Sequence, residues 1–259
     1  MSDVKPQQAA QRQFGRQASC YAVSRPHATG SSLQVMVSWA RPAPADRVLD
    51  VATGTGFTAF AFAESAGGVV ATDITINMLH EAQRLAADRG IRNIRFLQAA
   101  AEALPFRTAS FDIATCRIAP HHFTSVPAFL REMRRILRPS GRLVLTDTSS
   151  PDDTDRYVWQ HEVERLRDPS HVRSYTPSEW RRLVGDAGFI LEELTTSHRS
   201  ELVFSEWMRT AGSPPEVVDT LRRRFIEASP EIRDTFRFRE VDGDFHFSLM
   251  LVILLARPT

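Results

Sequence analysis

Short apolar runs alternate with helix-length amphipathic stretches through the first part of the chain. Val48, Leu49 and Val51 form a run suited to a strand buried on both faces. Thr58 to Glu64 contains no breaker and predicts a helix. Val69 to Ala71 is a second strand, ended by Asp73. Ala82, Leu85 and Ala86 then fall at helical spacing, with Asn77 as the expected cap and Gly90 as the stop. Ile94 to Leu97 is a third strand, and Ser110 to Arg117, with its aromatic–aspartate pair, a fourth. Phe129, Leu130, Met133, Ile136 and Leu137 make an apolar stripe behind Pro127, which suits a first helical turn. Arg142 to Asp147 is a fifth strand. Strands regularly separated by helices predict an α/β fold around a mostly parallel sheet.

The flanks are patterned differently. Met1 to Gln13 is polar and reads as a frayed start. Phe14 to Ala40 predicts one or two helices, the second opening at Gly30 and Ser31. Arg41-Pro42-Ala43-Pro44 is a stiff linker into the first strand. Ser149 to Ser174 is polar and predicts a helix and a loop near the mouth of a site. Thr176-Pro177-Ser178-Glu179 is a capping box ahead of a helix carrying Trp180, Leu183 and Val184. Phe189 to Thr195 is a sixth strand and Phe245 to Leu255 the last. Glu201 to Arg239 between them predicts an insertion with helical content.

Composition narrows the function only a little. Hydrophobic residues make up 42% and charged residues 24% of 259, and the formal net charge is +1. Such a balance gives no general attraction to nucleic acid or to an anionic membrane. The apolar run at Phe247–Leu255 is too short to span a bilayer, so stable membrane insertion is not expected. Cys20 and Cys116 make neither a metal cluster nor a disulfide framework, and the first residues lack a signal-peptide core. A cytoplasmic location is therefore expected.

The chemistry concentrates at Val48-Leu49-Asp50-Val51-Ala52-Thr53-Gly54-Thr55-Gly56 and at Asp73. Strand, glycine turn, helix, strand and acidic residue make a nucleotide-binding unit. Gly54 to Ala59 also satisfies the G-x-G-x-x-G/A dinucleotide pattern. Asp50 weighs against that ligand, because a carboxylate there repels a pyrophosphate and attracts a cation. The segment strongly resembles the first motif of class I S-adenosylmethionine-dependent methyltransferases, whose donor carries a sulfonium and an ammonium and no phosphate. The resemblance covers about Arg47 to Leu255. It includes the acidic residue and Met-Leu pair at Asp73 and Met78-Leu79, and the Leu-x-Pro-Gly-Gly-like run at Leu137–Gly141. Within the class the chain looks most like the ubiquinone/menaquinone-biosynthesis type.

That resemblance implies a Rossmann-like, seven-stranded, mostly parallel sheet with helices on both faces and an antiparallel last strand. Residues 1–46 would be a helical lid segment and 47–259 the methyltransferase domain, with a helical insertion at about 201–240. S-adenosyl-L-methionine would be held by Asp50, Ala52, Gly54 and Gly56 near its methionine part. Asp73 would take both ribose hydroxyls, since a carboxylate only accepts hydrogen bonds. Ile74 and Met78 would flank the adenine, beside the backbone of Ala101. Tyr21, Glu102 and Arg117 complete the cofactor set, and Tyr21 and His27 are candidates for its carboxylate. Ala100 stands where the family usually has an adenine-binding aspartate.

Arg117-Ile118-Ala119-Pro120-His121-His122-Phe123 follows the fourth strand, where open α/β sheets bind ligands. His121 or His122 is the candidate to orient or deprotonate a small-molecule acceptor. The alternative is that one imidazole bonds the loop and the other fills space. No metal site is expected, because two histidines without a cysteine or acidic triad do not define one. Other readings are a protein that holds S-adenosylmethionine without transferring its methyl group, and a nicotinamide-dependent oxidoreductase.

Overall fold

A computed structural model describes residues 6–22 and 30–259. His27 lies outside the described residues. The amino-terminal segment is helical sooner than its polar sequence suggests: α1 spans Pro6–Ala22, followed by α2 at Ser31–Ala40. Ala10, Ala18 and Ala22 are buried on α1. Gln11 donates to the Ile74 carbonyl at 3.0 Å, and Asn77 donates to the Gly15 carbonyl at 2.9 Å. Tertiary docking thus stabilises a helix with little apolar periodicity of its own.

The central alternation follows as expected: β1 (Arg47–Val51), α3 (Phe57–Ala63), β2 (Gly68–Asp73), α4 (Ile76–Asp88), β3 (Ile94–Gln98), β4 (Phe111–Arg117), α5 (Val126–Ile136) and β5 (Leu137–Thr148). Asn77 is not the cap of α4. That position is Thr75, and no side chain caps this terminus. After β5 come α6 (Thr154–Arg167), α7 (Pro177–Asp186), β6 (Phe189–Thr195), β7 (Arg199–Val203), α8 (Phe204–Ala211), α9 (Pro215–Ile226), α10 (Pro230–Thr235), β8 (Arg239–Val241) and β9 (Asp244–Pro258). The predicted capping box at Thr176 and Glu179 is formed.

The main strand order is β3-β2-β1-β4-β5-β9-β6. The first five strands pair in parallel, and β9 runs antiparallel to both β5 and β6. The sheet has nine strands rather than seven. β9 is 15 residues long. Its second half lies between β5 and β6, while its first half extends past them and pairs with β7 and β8. Both added strands are short and rich in charge, so their apolar pattern is weak. A tight turn joins β8 to β9. Asp242-Gly243 has φ of 51° and 77°, the left-handed pair that a two-residue hairpin turn requires.

Side-chain alternation divides the core. Leu49, Val51, Leu143 and Leu145 face Phe129, Met133 and Trp180 on one side. Val48, Val144 and Ile253 face Met36, Ala59 and Phe62 on the other. Successive strand residues point to opposite faces, so the buried runs supply both layers. A third cluster joins α8, α9 and α10 to the overhang of β9 through Phe204, Trp207, Phe225, Phe236 and Phe247.

Candidate active site

The loop from Ala52 to Gly56 leaves β1 and turns sharply into α3. Ala52 and Gly54 have φ of 53° and 54°, and Gly56, at the helix start, has φ of 93°. Asp50 lies beneath this loop and is 1% exposed. Its carboxylate accepts from the Thr53 hydroxyl at 2.6 Å and the Thr115 hydroxyl at 2.7 Å. Burial raises its pKa to about 6 against those two hydrogen bonds. Asp73 ends β2 and accepts from the Gly54 N–H at 2.9 Å and the Thr75 N–H at 2.8 Å. That carboxylate therefore fixes the glycine loop as well as facing the cleft.

A cleft of about 970 Å³ opens over this loop, within the range of small-molecule sites. Tyr21, Ala52, Gly54, Asp73, Ile74, Met78, Ala101, Glu102 and Arg117 all line it, as does His122. Three of the singled-out residues do not. Asp50 supports the loop from below. His121 lies in a neighbouring cleft. Gly56 is not among the lining residues, and packing restricts it: an added Cβ would sit 2.6 Å from Phe60 Cζ. Gly54 has nothing within 4 Å of that position and faces open space. Glu102 borders the cleft, but its carboxylate accepts from the Thr124 N–H at 2.9 Å and Gln7 Nε2 at 3.3 Å, joining two walls. Arg117 donates through Nε to the Thr58 hydroxyl at 3.1 Å. Burial lowers its pKa to about 10, so it remains a cation.

The lining fits S-adenosylmethionine. An acceptor-only carboxylate, apolar faces at Ile74 and Met78, and one guanidinium match a ribose, an adenine and a carboxylate. Arg117 is the only Lys or Arg side chain among the described lining residues, a weak provision for the pyrophosphate of a dinucleotide.

A second cleft of about 1390 Å³ adjoins the first and shares Phe14, Tyr21, Ile118 and His122 with it. The structure separates the two histidines here. Ile118, at φ 54°, turns the chain off β4 into the short helical turn Pro120–His122. β4 and β5 are neighbours, so this turn brings His121 to the end of β5. His121 Nδ1 lies 2.6 Å from Asp147 Oδ1. The His121 carbonyl accepts from the Val172 N–H at 2.8 Å, which fixes the turn. Burial alone would lower the imidazole's pKa. The Asp147 carboxylate, with Glu164 and Asp168 behind it, outweighs burial and raises it. His122 behaves oppositely: burial and the adjacent His121 push it down to about 3. Its Nδ1 is 3.1 Å from the Ser170 hydroxyl and its ring packs edge-on against Phe14.

Sequence reasoning read Asp147 only as the end of a strand, and passed over Phe14, Ser170 and Ser174. Asp147 did carry a signal: it ends the strand beside the switch-point loop, where a side chain can reach a ligand. Among the described residues, no group of three or more His, Cys, Asp or Glu side chains is placed to hold a metal ion. No helix among them is long and apolar enough to cross a membrane.

Residues 48–141 match the methyltransferase domain family. The chain is 34% identical over 223 residues to the uncharacterized methyltransferase YcgJ of Bacillus subtilis, covering 86% of this chain and 88% of that one. The crystal structure of YcgJ superposes with a TM-score of 0.81 at 32% identity, over 88% of this chain and 97% of that one. The uncharacterized protein YafE of Escherichia coli is 39% identical over 76% of this chain and 94% of its own length. The ubiquinone/menaquinone biosynthesis C-methyltransferase UbiE of Shewanella oneidensis is 40% identical over 135 residues, half of each chain. Together with the sheet order, the loop under Asp73 and the cleft above it, these relationships place the chain in the class I S-adenosylmethionine-dependent methyltransferases.

Proposed function

We propose that the enzyme methylates a small molecule held in the second cleft, at an oxygen or carbon made nucleophilic by His121. The observation that carries this reading is the buried His121–Asp147 pair on the wall of the cleft that adjoins the cofactor cleft. A carboxylate at Nδ1 keeps the proton on that nitrogen and leaves the Nε2 lone pair to act as base, an arrangement shared with hydrolytic triads. When bound, S-adenosylmethionine supplies a methyl group already activated by its sulfonium. The protein then has two tasks: aligning the acceptor in line with that group and removing its proton.

In this reading Asp73 takes the ribose, Ile74 and Met78 take the adenine, and Gly54 and Arg117 face the methionine part. Tyr21 and His122 stand between donor and acceptor. Because burial and the adjacent His121 lower the proton affinity of His122, it is a weak base and serves as a wall and hydrogen-bonding group. The segment 1–46, through α1, and the insertion at about 201–240, through Trp207 and Glu206, enclose the acceptor. A phenol, or a ring carbon activated by a phenol, needs such a base, and the partial similarity to UbiE supports that class.

The test is turnover of S-adenosylmethionine to S-adenosylhomocysteine with a panel of phenols and related carbon acids. Methylated product that disappears in His121→Asn, with cofactor affinity retained, supports the proposal. Full activity of that variant refutes the assignment of the base.

A further inference from the structure

Behind His121 lies a buried chain of hydroxyls that ends at a second carboxylate. Thr148 Oγ1 is 3.3 Å from His121 Nδ1 and 3.2 Å from Ser174 Oγ, and the Ser174 hydroxyl donates to Glu164 Oε2 at 3.0 Å. Only one set of hydrogen directions satisfies all three contacts. Ser174 gives its proton to Glu164, so it accepts from Thr148, and Thr148 takes the weaker arm of the single His121 Nδ1–H, whose main acceptor is Asp147 at 2.6 Å. Gln160 Nε2 also donates to Glu164 Oε2 at 3.0 Å. Glu164 is 7% exposed and forms part of the second cleft. Among the described residues no arginine or lysine pairs with it. Its nearest ionisable partner is His171, at 3.8 Å.

Burial raises the pKa of this carboxyl, and a positive charge on His121 with the hydrogen bonds from Gln160 and Ser174 favours its ionised form, so the two charges support each other. We propose that Glu164 is a positioning residue of the transfer reaction: through Ser174 and Thr148 it steadies the positive charge that His121 acquires on taking the acceptor's proton. This inference rests on the reading of His121 as the base. The acceptor's O–H or C–H bond breaks, its electron pair attacks the methyl carbon, and an Nε2–H bond forms on His121. The imidazolium then faces Asp147 directly and Glu164 through the two hydroxyls. The electron pair of the broken carbon–sulfur bond stays on sulfur.

Other charges around the imidazole set the background. Asp168, from the end of α6, also favours the imidazolium. His122 and His171 oppose a charge on it, and both are driven strongly toward neutrality by burial and by His121 itself. Arg167 on α6 adds a cation on that side, while burial and the charges of Arg165 and Arg173 push His161 toward its neutral form. Glu201 and Glu206 stand on the opposite wall, beside Arg209, with Cys20 and Tyr21 presented by α1. Neither Asp168 nor Glu206 is bonded to the hydroxyl chain, so Glu164 is distinguished from them by connection as well as by charge.

The experiment is a pH titration of the full-length protein labelled with 15N-histidine. The resonances missing from His121→Asn identify His121 among the eight histidines. Removing a negative charge disfavours the imidazolium, so Glu164→Gln lowers the His121 midpoint, by about tenfold in proton affinity. Glu164→Asp restores most of the shift. Ser174→Ala, which keeps the carboxylate but removes the linking hydroxyl, moves the midpoint the same way by less. An unchanged midpoint in a folded Glu164→Gln protein overturns the proposal. If that variant does not fold, Ser174→Ala and Thr148→Val decide: a downward shift in either supports the link, and none in both overturns it. A His121→Asn enzyme that keeps its transfer rate overturns the base assignment and this inference together. If His121→Asn is slow but the His121 midpoint of an otherwise parental protein is unmoved by Glu164→Gln, this inference alone is overturned.

Discussion

The two clefts share four residues but are built from different parts of the chain. The first draws most of its walls from residues 52–123, at the carboxyl ends of β1, β2 and β4. Its defining contacts are local: the Asp73 carboxylate holds the backbone of Gly54 and Thr75, and positive φ values at Ala52 and Gly54 shape the loop. The second is assembled from α1, the turn after β4, β5, α6, β7 and α8. Its polar groups meet across long separations, as His121 and Asp147 do over 26 residues. A ligand common to a whole class can be served by one supersecondary unit. An acceptor that differs among members is met by side chains from segments free to vary around that unit.

The largest effect on rate without loss of cofactor binding is expected from His121→Asn. Loss of general-base help is worth about 10²–10⁴-fold, with calorimetric affinity for S-adenosylmethionine unchanged. Asp147→Asn comes next, with an expected rate loss of about tenfold to a hundredfold from the wrong tautomer and the lost charge. Its pH signature is sharper. His121 must be neutral to act, and Asp147 raises its pKa. Parent activity therefore falls with decreasing pH at a midpoint above the ordinary histidine value of about 6.5, and Asp147→Asn moves that midpoint downward. A midpoint indifferent to this substitution would break the pairing.

On the cofactor side, Gly56→Val tests packing against ligand approach. Strain at φ 93° and the overlap with Phe60 predict a loss of about 3 kcal/mol in folding stability, measured by denaturant unfolding without ligand. A variant of parental stability that cannot bind S-adenosylmethionine would restore the ligand reading of this glycine. Asp73→Ala should weaken cofactor binding at least about tenfold, because a charged hydrogen bond is worth roughly 1.5–3 kcal/mol. It should also lower stability, since two backbone N–H groups lose their acceptor. The smallest effect is expected for His122→Asn: a rate within about threefold of the parent, because burial beside His121 leaves its imidazole a weak base. A loss as large as that of His121→Asn would erase the distinction between the two rings.

Much of the first cleft was legible in the sequence, because its signals are local. Gly54, Asp73, Ile74, Met78, Ala101 and Arg117 lie within or beside motifs whose spacing is set by strand ends and turns. The buried strand runs Val48–Val51 and Leu143–Leu145 likewise declared a sheet covered on both faces. The first half of α1 was not legible: a helix was expected from Phe14 onward, but Pro6 to Gln13 read as a frayed start. Its sequence lacks apolar periodicity, and its docking depends on Ile74, Asn77 and the cleft it covers. β7 and β8 were missed because a short charged strand needs a partner to define it, and only the overhang of β9 supplies one.

The sequence by itself determined the α/β alternation, the glycine loop under Asp73 and the presence of two histidines at the switch point. Those features depend on local backbone preferences and on the period of apolar residues. Only the tertiary structure gave the two histidines different surroundings. The two rings are adjacent in sequence and have the same intrinsic chemistry. One meets a buried carboxylate from the next strand, while the other is buried beside its neighbour's charge, and proton affinity follows from those surroundings.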